Sequence, residues 1–310
     1  MKPVRGIGLA RSTLGRERSP RLPDRELEAG ARAHYEDAAY YASLYKKRID
    51  DVQFYVDLAL KAGGPVLEYG IGNGRIALPV ARHGVSVVGV DHSRAMLADL
   101  KARLADEPAD VRRRVVPRFG DMRAKKLSVC FPLVTCPFNA ALHLYTRHDV
   151  ERFLARVREH LAPGGVFVCD LSVPVFEDLI REPARAYKAP RFKYPSTGEL
   201  VSYVEYFDYD RARQVLFVSM EFEPLVKKSG GRGASELVGD PTRAGTTPLA
   251  HRQFFPQEWE ALLHYNGFEV DKVEGDFHGG PLDRTSDVMV WHARARRGMG
   301  GRTKRRGGSR

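Results

Sequence analysis

The chain has 310 residues, 43% of them hydrophobic, which allows one large domain or two modest ones with a substantial core. No run of about 18 apolar residues occurs, which argues against a membrane-spanning helix, and the N-terminus lacks the apolar segment of a secretory signal. The net charge of +11 is confined to the ends: residues 293–310 carry eight Lys or Arg and no acid, residues 1–33 carry eight against four acids, and the body is left at −1.

The N-terminal Arg and Ser content weakly resembles an organelle transit peptide, but residues 1–33 read as a basic, disordered extension. From His34 the sequence becomes helical, with Tyr41, Leu44, Tyr45 and then Phe54, Tyr55, Leu58 at three- and four-residue spacing up to Gly63–Gly64. Short apolar runs then alternate with helical patterns. "PVLEYG" predicts a strand followed by a helix over about 75–83, and "VSVVGVD" a strand followed by a helix over 93–105. "RVVPRFGD" reads as an edge strand because of Pro117. "FPLVTCPF" reads as a buried strand, "HDVERFLARVREHLAPGG" as an amphipathic helix and "VFVCDLSV" as a further strand. This rhythm predicts right-handed crossovers and an open, mostly parallel, doubly wound α/β sheet.

After Pro174 the rhythm changes. "ELVSYVEYFDYD" and "RQVLFVSMEFEPL" flank "DYDRAR" as a hairpin, and residues 227–250, rich in Gly, Ser, Thr and Pro, read as a mobile loop. "EVDKVEGDF" and "DVMVWHARA" read as an antiparallel edge pair. The organisation is a domain over 34–292 with a small β insertion over about 185–255 for substrate or oligomer contacts, then a basic disordered tail over 293–310. The two ends could bind nucleic acid or an acidic surface weakly. Cys130, Cys136 and Cys169 are odd in number and lack CxxC spacing, which suits a reducing, cytoplasmic setting.

In an open α/β sheet, ligands bind beyond the carboxyl ends of the strands. The stretch "PVLEYGIGNGRIALPV" puts Gly70, Gly72 and Gly74 there. Glycines permit a tight turn and close backbone approach. The phosphate motif G-x-x-x-x-G-K-[ST] is absent, and G-x-G-x-G is one residue tighter than the dinucleotide fingerprint. Glu68, two residues before the first glycine, would repel a pyrophosphate and suits an ammonium. Asp91, ending "VVGVD", can accept both hydroxyls of a ribose. In "GDM", Asp121 can accept from an exocyclic amine and Met122 can offer its N–H to a ring nitrogen. No metal-binding pattern occurs among the ten histidines, and G-x-S-x-G is missing.

Taken in order, "VLEYGIGNGR", "VVGVDHSRAML", "GDM", "CPFNAALHL" and "LAPGGVFVCDL" resemble the class I S-adenosylmethionine-dependent methyltransferases over about residues 35–175. The lead-in "YEDAAYYASLY" and "PFNAALHL" resemble the small-molecule N-methyltransferases among them. One departure is Pro132, where the family often has Asp. The resemblance implies S-adenosyl-L-methionine as cofactor. Glu68, Gly70, Gly72 and Gly74 would hold its methionine end and Asp91 its ribose. His92 and Met96 would flank the adenine, with Asp121 and Met122 at the adenine edge. The segment "CPFNAALHL" would line the transfer site, with Pro137 toward the cofactor and Asn139 and His143 as catalytic candidates. Tyr40, Tyr41 and Tyr45 are placed as a lid, Tyr40 toward the cofactor and Tyr41 toward the chemistry. His251 and Arg252 could face the substrate from the insertion.

The expected reaction is methyl transfer to a small-molecule acceptor, an amine nitrogen first, with His143 or a tyrosine hydroxyl taking its proton. An O-methyltransferase would share every cofactor residue. The near-neutral body argues against RNA or protein methylation, and a cofactor-binding regulator without activity is the non-enzymatic alternative. The exposed hairpin could pair subunits into a homodimer.

Overall fold

The computed structural model describes residues 24–229 and 235–296. The basic runs over 1–23 and 297–310 lie outside the described residues. Residues 24–33, part of the stretch expected to be disordered, instead form helix α1 (Arg25–Gly30) and the start of a 3₁₀ turn (Ala33–Tyr35). Asp24 caps α1 by accepting the Leu27 N–H at 3.3 Å. At the other end, strand β12 (Val288–Ala295) runs into the region read as tail.

Seven strands form the main sheet. β1 (Val66–Tyr69) is central and all four of its residues are buried, as expected of a strand covered on both faces. β2 (Val87–Asp91) and β3 (Val115–Phe119) extend the sheet on one side, and β4 (Phe131–Cys136) and β5 (Leu161–Ser172) on the other, all parallel. β12 then pairs antiparallel to β5, and β11 (Phe268–Glu274) closes the edge. The order β11-β12-β5-β4-β1-β2-β3 reverses direction at β1 and β4, which opens a crevice beyond their carboxyl ends.

Helices cover both faces. α3 (Asp50–Ala62) ends on left-handed Gly63. α5 (Arg94–Ala105) starts at Ser93, whose hydroxyl accepts the Met96 N–H at 3.2 Å. α7 (Arg147–His160) begins with a reciprocal Thr146–Asp149 capping box. Among the described residues, no helix is long and apolar enough to cross a membrane.

The insertion is a second, antiparallel sheet. β6 (Tyr187–Lys193), β7 (Leu200–Asp210), β8 (Val215–Ser229) and β10 (Gly245–Arg252) lie in the order β10-β8-β7-β6, and β9 (Ser235–Gly239) pairs with the far end of β8. The β7–β8 turn is set by Asp210, whose carboxylate accepts the N–H groups of Ala212 and Arg213 at 2.9 and 3.0 Å. Residues 235–250, inside the stretch read as a mobile loop, are thus mostly strand. β8 is long enough to pair with both β9 and β10, so its edges satisfy a backbone whose own composition favours turns.

Two N-terminal helices join this sheet to the crevice. In α1, a Cβ on Gly30 would lie 2.5 Å from the Ala250 Cβ, so only glycine lets α1 reach β10. In α2 (Ala38–Leu44), Tyr40 stacks on Tyr194 of the insertion at 5.5 Å and meets Phe222 edge-on at 5.2 Å.

Candidate cofactor and methyl-transfer site

The chain leaves β1 through three left-handed glycines, Gly70, Gly72 and Gly74, with φ of 74°, 53° and 81°. The Gly70 N–H stays in the sheet on the Val90 carbonyl at 2.8 Å, while the Gly72 N–H turns to the Asp91 carboxylate at 2.8 Å. A Cβ on Gly70 would sit 2.7 Å from the Ala140 Cβ, and one on Gly72 3.2 Å from the Met96 methyl. These two glycines keep the crevice floor bare. Gly74 points away, where its Cβ would strike Leu100 at 2.5 Å, so its part is helix packing. Gly70→Ala should therefore lose both the left-handed turn and the clearance to Ala140, at about 1–3 kcal/mol for the strained backbone alone. Thermal unfolding and cofactor titration of the variant would measure the two effects.

Asp91 ends β2. Its second oxygen accepts the Ser93 N–H at 2.7 Å, which fixes the carboxylate between the glycine loop and the start of α5. His92 and Met96 continue the same wall, and Gly120 and Met122 close it from the end of β3. Asp121 is turned elsewhere. Arg123 holds both of its oxygens at 2.7–3.0 Å and also reaches Asp149 at 2.6 Å. Burial pulls the Asp121 carboxyl up, but the Arg123 guanidinium outweighs it and keeps the pKa below the usual carboxylate range. The Asp121 side chain is thus held by Arg123 beside the cleft, while Gly120 and Met122 line it.

Glu68 lies one step inside the floor. It is 2% exposed and has no hydrogen-bond partner among the described residues. Burial raises its pKa to about 8; nearby Arg75 opposes this, and Asp91 and Asp51 add to it. Arg75, which the sequence reading passed over, forms a bidentate pair with Asp51 of α3 at 2.8 and 2.6 Å. Its guanidinium lies 4.4 Å from the Phe138 ring centroid, and Arg48 lies 4.6 Å from the same ring.

The far wall is the turn after β4. Phe138 and Asn139 are consecutive non-glycine residues in the left-handed region, at φ 55° and 63°. The Asp170 carboxylate of β5 accepts the Phe138 N–H at 2.8 Å and the Tyr55 hydroxyl at 2.6 Å. Asn139 clamps Ser172, accepting its N–H at 2.6 Å and donating to its hydroxyl at 2.9 Å. The Asn139 side chain is thereby spent on holding the turn, and its catalytic reading becomes a positioning one. His143, in the following 3₁₀ turn (Ala140–His143), faces the crevice, with the Tyr35 hydroxyl 2.7 Å from its Nε2 and the Tyr145 hydroxyl 3.1 Å from its Nδ1.

These parts line a cleft that is open on one side. Of the residues singled out in the sequence, Tyr41, Gly70, Gly72, Asp91, His92, Met96, Met122, Pro137 and His143 line it. Tyr40, Glu68, Gly74, Asp121 and Asn139 do not. Tyr40 belongs to the aromatic cluster under the insertion, and Tyr35 takes the place over the cleft. Phe138 and Ala140, from the segment expected to line the transfer site, also line the cleft.

The residues fit S-adenosylmethionine. Asp91 keeps lone pairs free for ribose hydroxyls, and the unpartnered Glu68 beside Arg75 matches the ammonium and carboxylate of an amino-acid end. The glycine floor admits a ligand against bare backbone. Asp91→Ala should weaken cofactor binding by about 1–3 kcal/mol, roughly tenfold to a hundredfold in Kd by calorimetry, by leaving buried donors unpaired.

Residues 66–165 match the profile of a family described as a methyltransferase domain. Comparison with curated proteins gives no match. Among solved structures, the chain is similar to the CcbJ methyltransferase from Streptomyces caelestis at 24% identity, with TM-score 0.66 over 86% of this chain and 99% of that one. An S-adenosylmethionine-dependent methyltransferase from Clostridium acetobutylicum aligns at 14% identity and TM-score 0.61, covering 83% and 98%. CalS10, an amino pentose methyltransferase from Micromonospora echinaspora, aligns at 23% identity and TM-score 0.56, covering 81% and 95%. At these identities the structural likenesses speak for the fold, and the matched domain speaks for the chemistry. Residues 66–165, which supply strands that build the cleft, thus match a methyltransferase domain, and the chain has the fold of the S-adenosylmethionine-dependent methyltransferase it aligns with.

Proposed function

We propose that the protein methylates the amine nitrogen of a small molecule. One observation carries the reading: Tyr35, Tyr41 and the buried His143 line the cleft, and Asp91 is the only carboxylate among the lining residues. Burial lowers the His34 pKa to about 4 and that of neighbouring His251 to about 3, and holds His143 well below the ordinary histidine range. The same desolvation strips a proton from an ammonium, and an amine must be unprotonated to attack. CalS10, described as an amino pentose methyltransferase, has the same fold and supports this choice.

When bound, the cofactor supplies a methyl group on a sulfonium that needs no further activation. The chain's work is alignment and the exclusion of water. Glu68 and Arg75 would hold the amino-acid end, Asp91 the ribose, and Met96 and Met122 the base. Phe138, fixed by Asp170 and Asn139, and Tyr41 would narrow the space through which the acceptor approaches the methyl carbon. The insertion and α1–α2 would shape the acceptor pocket.

A mass-spectrometric screen of amine and hydroxyl metabolites with S-adenosylmethionine tests the proposal. Products gaining one methylene unit from amines are expected. Products from hydroxyl acceptors alone would replace it with O-methylation, and cofactor binding without any product would point to a regulator.

A further inference from the structure

Counting hydrogens around His143 fixes more than its position. Tyr145 has one hydroxyl hydrogen and lies 2.9 Å from the Ala250 carbonyl, which can only accept. If that hydrogen pointed elsewhere, two sets of oxygen lone pairs would face each other at that distance. The Tyr145 hydroxyl therefore donates to Ala250 and must accept from His143. His143 thus carries its hydrogen on Nδ1, at 3.1 Å. Its Nε2 is left as an acceptor, and the Tyr35 hydroxyl 2.7 Å away must donate to it. Every hydrogen in the relay is assigned by the single carbonyl at its end.

The geometry points to Tyr35 as the residue that meets the acceptor, presenting only lone pairs to the cleft and so admitting acceptors that bring a hydrogen of their own: primary or secondary amines, or hydroxyls. This rests on the methyl-transfer reading of the cleft and adds the proton's route to it. The acceptor nitrogen forms its bond to the methyl carbon as the carbon–sulfur bond breaks, and that electron pair stays on the sulfur. The nitrogen then gives its proton to the Tyr35 oxygen, while the Tyr35 hydrogen moves to His143 Nε2. The sulfonium charge disappears as the imidazolium charge appears, so the buried site holds the same net charge before and after. That balance lets a histidine neutral at rest take the proton. A neutral tertiary amine has no hydrogen to donate to Tyr35, so methylation should stop at the dimethyl stage.

Tyr145 acts only through His143 and is a positioning residue. Because it is tied to β10, the insertion sets the tautomer of the histidine beside the cleft.

The test is ¹⁵N NMR of the full chain with labelled histidine, the His143 signals being identified by their loss in His143→Gln. The wild type should show a protonated Nδ1 and an unprotonated, hydrogen-bonded Nε2. Tyr145→Phe should mix the tautomers, while its Kd for S-adenosylmethionine stays within about twofold. An Nε2–H wild type, or an unchanged tautomer in Tyr145→Phe, overturns the relay. In protein loaded with S-adenosylhomocysteine, aniline should shift the Nε2 signal more than N,N-dimethylaniline does; equal or smaller shifts overturn the acceptor class. Failure of the wild type to bind S-adenosylmethionine would refute the cofactor reading instead, and the tautomer result would stand apart from it.

Discussion

Arg75→Met is expected to destabilise the protein by about 3–5 kcal/mol, toward the lower end of that range. Asp51 is fully buried, and Arg75 is its bidentate partner at 2.6 Å. Removing the guanidinium leaves a buried carboxylate with only Arg48, 3.6 Å away and more exposed, to offset it. Adding Asp51→Asn should recover much of the loss, because the uncompensated charge is then gone as well. Urea unfolding of Arg75→Met, Asp51→Asn and the double variant measures the effect and its non-additivity. If the single and double variants are equally unstable, the pair is not what holds α3 against the glycine loop. Cofactor binding should be lost in both, since neither retains the cation beside Glu68.

Glu68 should make stability and cofactor affinity depend on pH in opposite directions. Its folded pKa is raised from 4.5 to about 8. Between these values the folded chain keeps a proton that the unfolded chain has lost, so stability falls as pH rises through the window. The full penalty, on the order of 5 kcal/mol at roughly 1.4 kcal/mol per pKa unit, is reached above pH 8. Glu68→Gln should match the wild type at pH 4.5 and become progressively more stable than it toward pH 8. A ligand ammonium beside Glu68 favours the ionised form, so binding releases the proton and affinity rises with pH up to about 8, by at most tenfold per unit. Calorimetry in two buffers of different ionisation enthalpy reads that proton directly. Its absence in the wild type would mean that the ammonium lies elsewhere.

The strand and helix alternation, the glycine loop and Asp91 were legible because each depends on neighbours within a few residues. Strand β1 announces itself by an apolar run that stops at a glycine, and Asp91 by ending the next one. What was missed depends on partners far along the chain. Asp51 and Arg75 are 24 positions apart, and nothing local marks either as half of a pair. Asn139 looked available until Ser172 occupied both ends of its amide. The ion pair of Asp121 was not legible, because Arg123 reads as an ordinary surface residue unless its side chain folds back. Tyr40 and Tyr41 show how helix phase decides: adjacent residues point about 100° apart, so one lines the cleft and the other packs under the insertion. Tyr35 escaped notice because it stands in a 3₁₀ turn with no periodic pattern. The segment over 235–250 has the composition of a loop and the partners of a sheet.

The docking of the N-terminal helices also sets an order of assembly. Gly30 needs Ala250, Tyr40 needs Phe222, and Tyr35 needs His143. On the ribosome, about 200 further residues must emerge before α1 has a surface to meet, whereas β1 to β4 can already pair. Helices α1 and α2 are thus made before the surfaces they pack against, and the cofactor floor can form while its roof is still open.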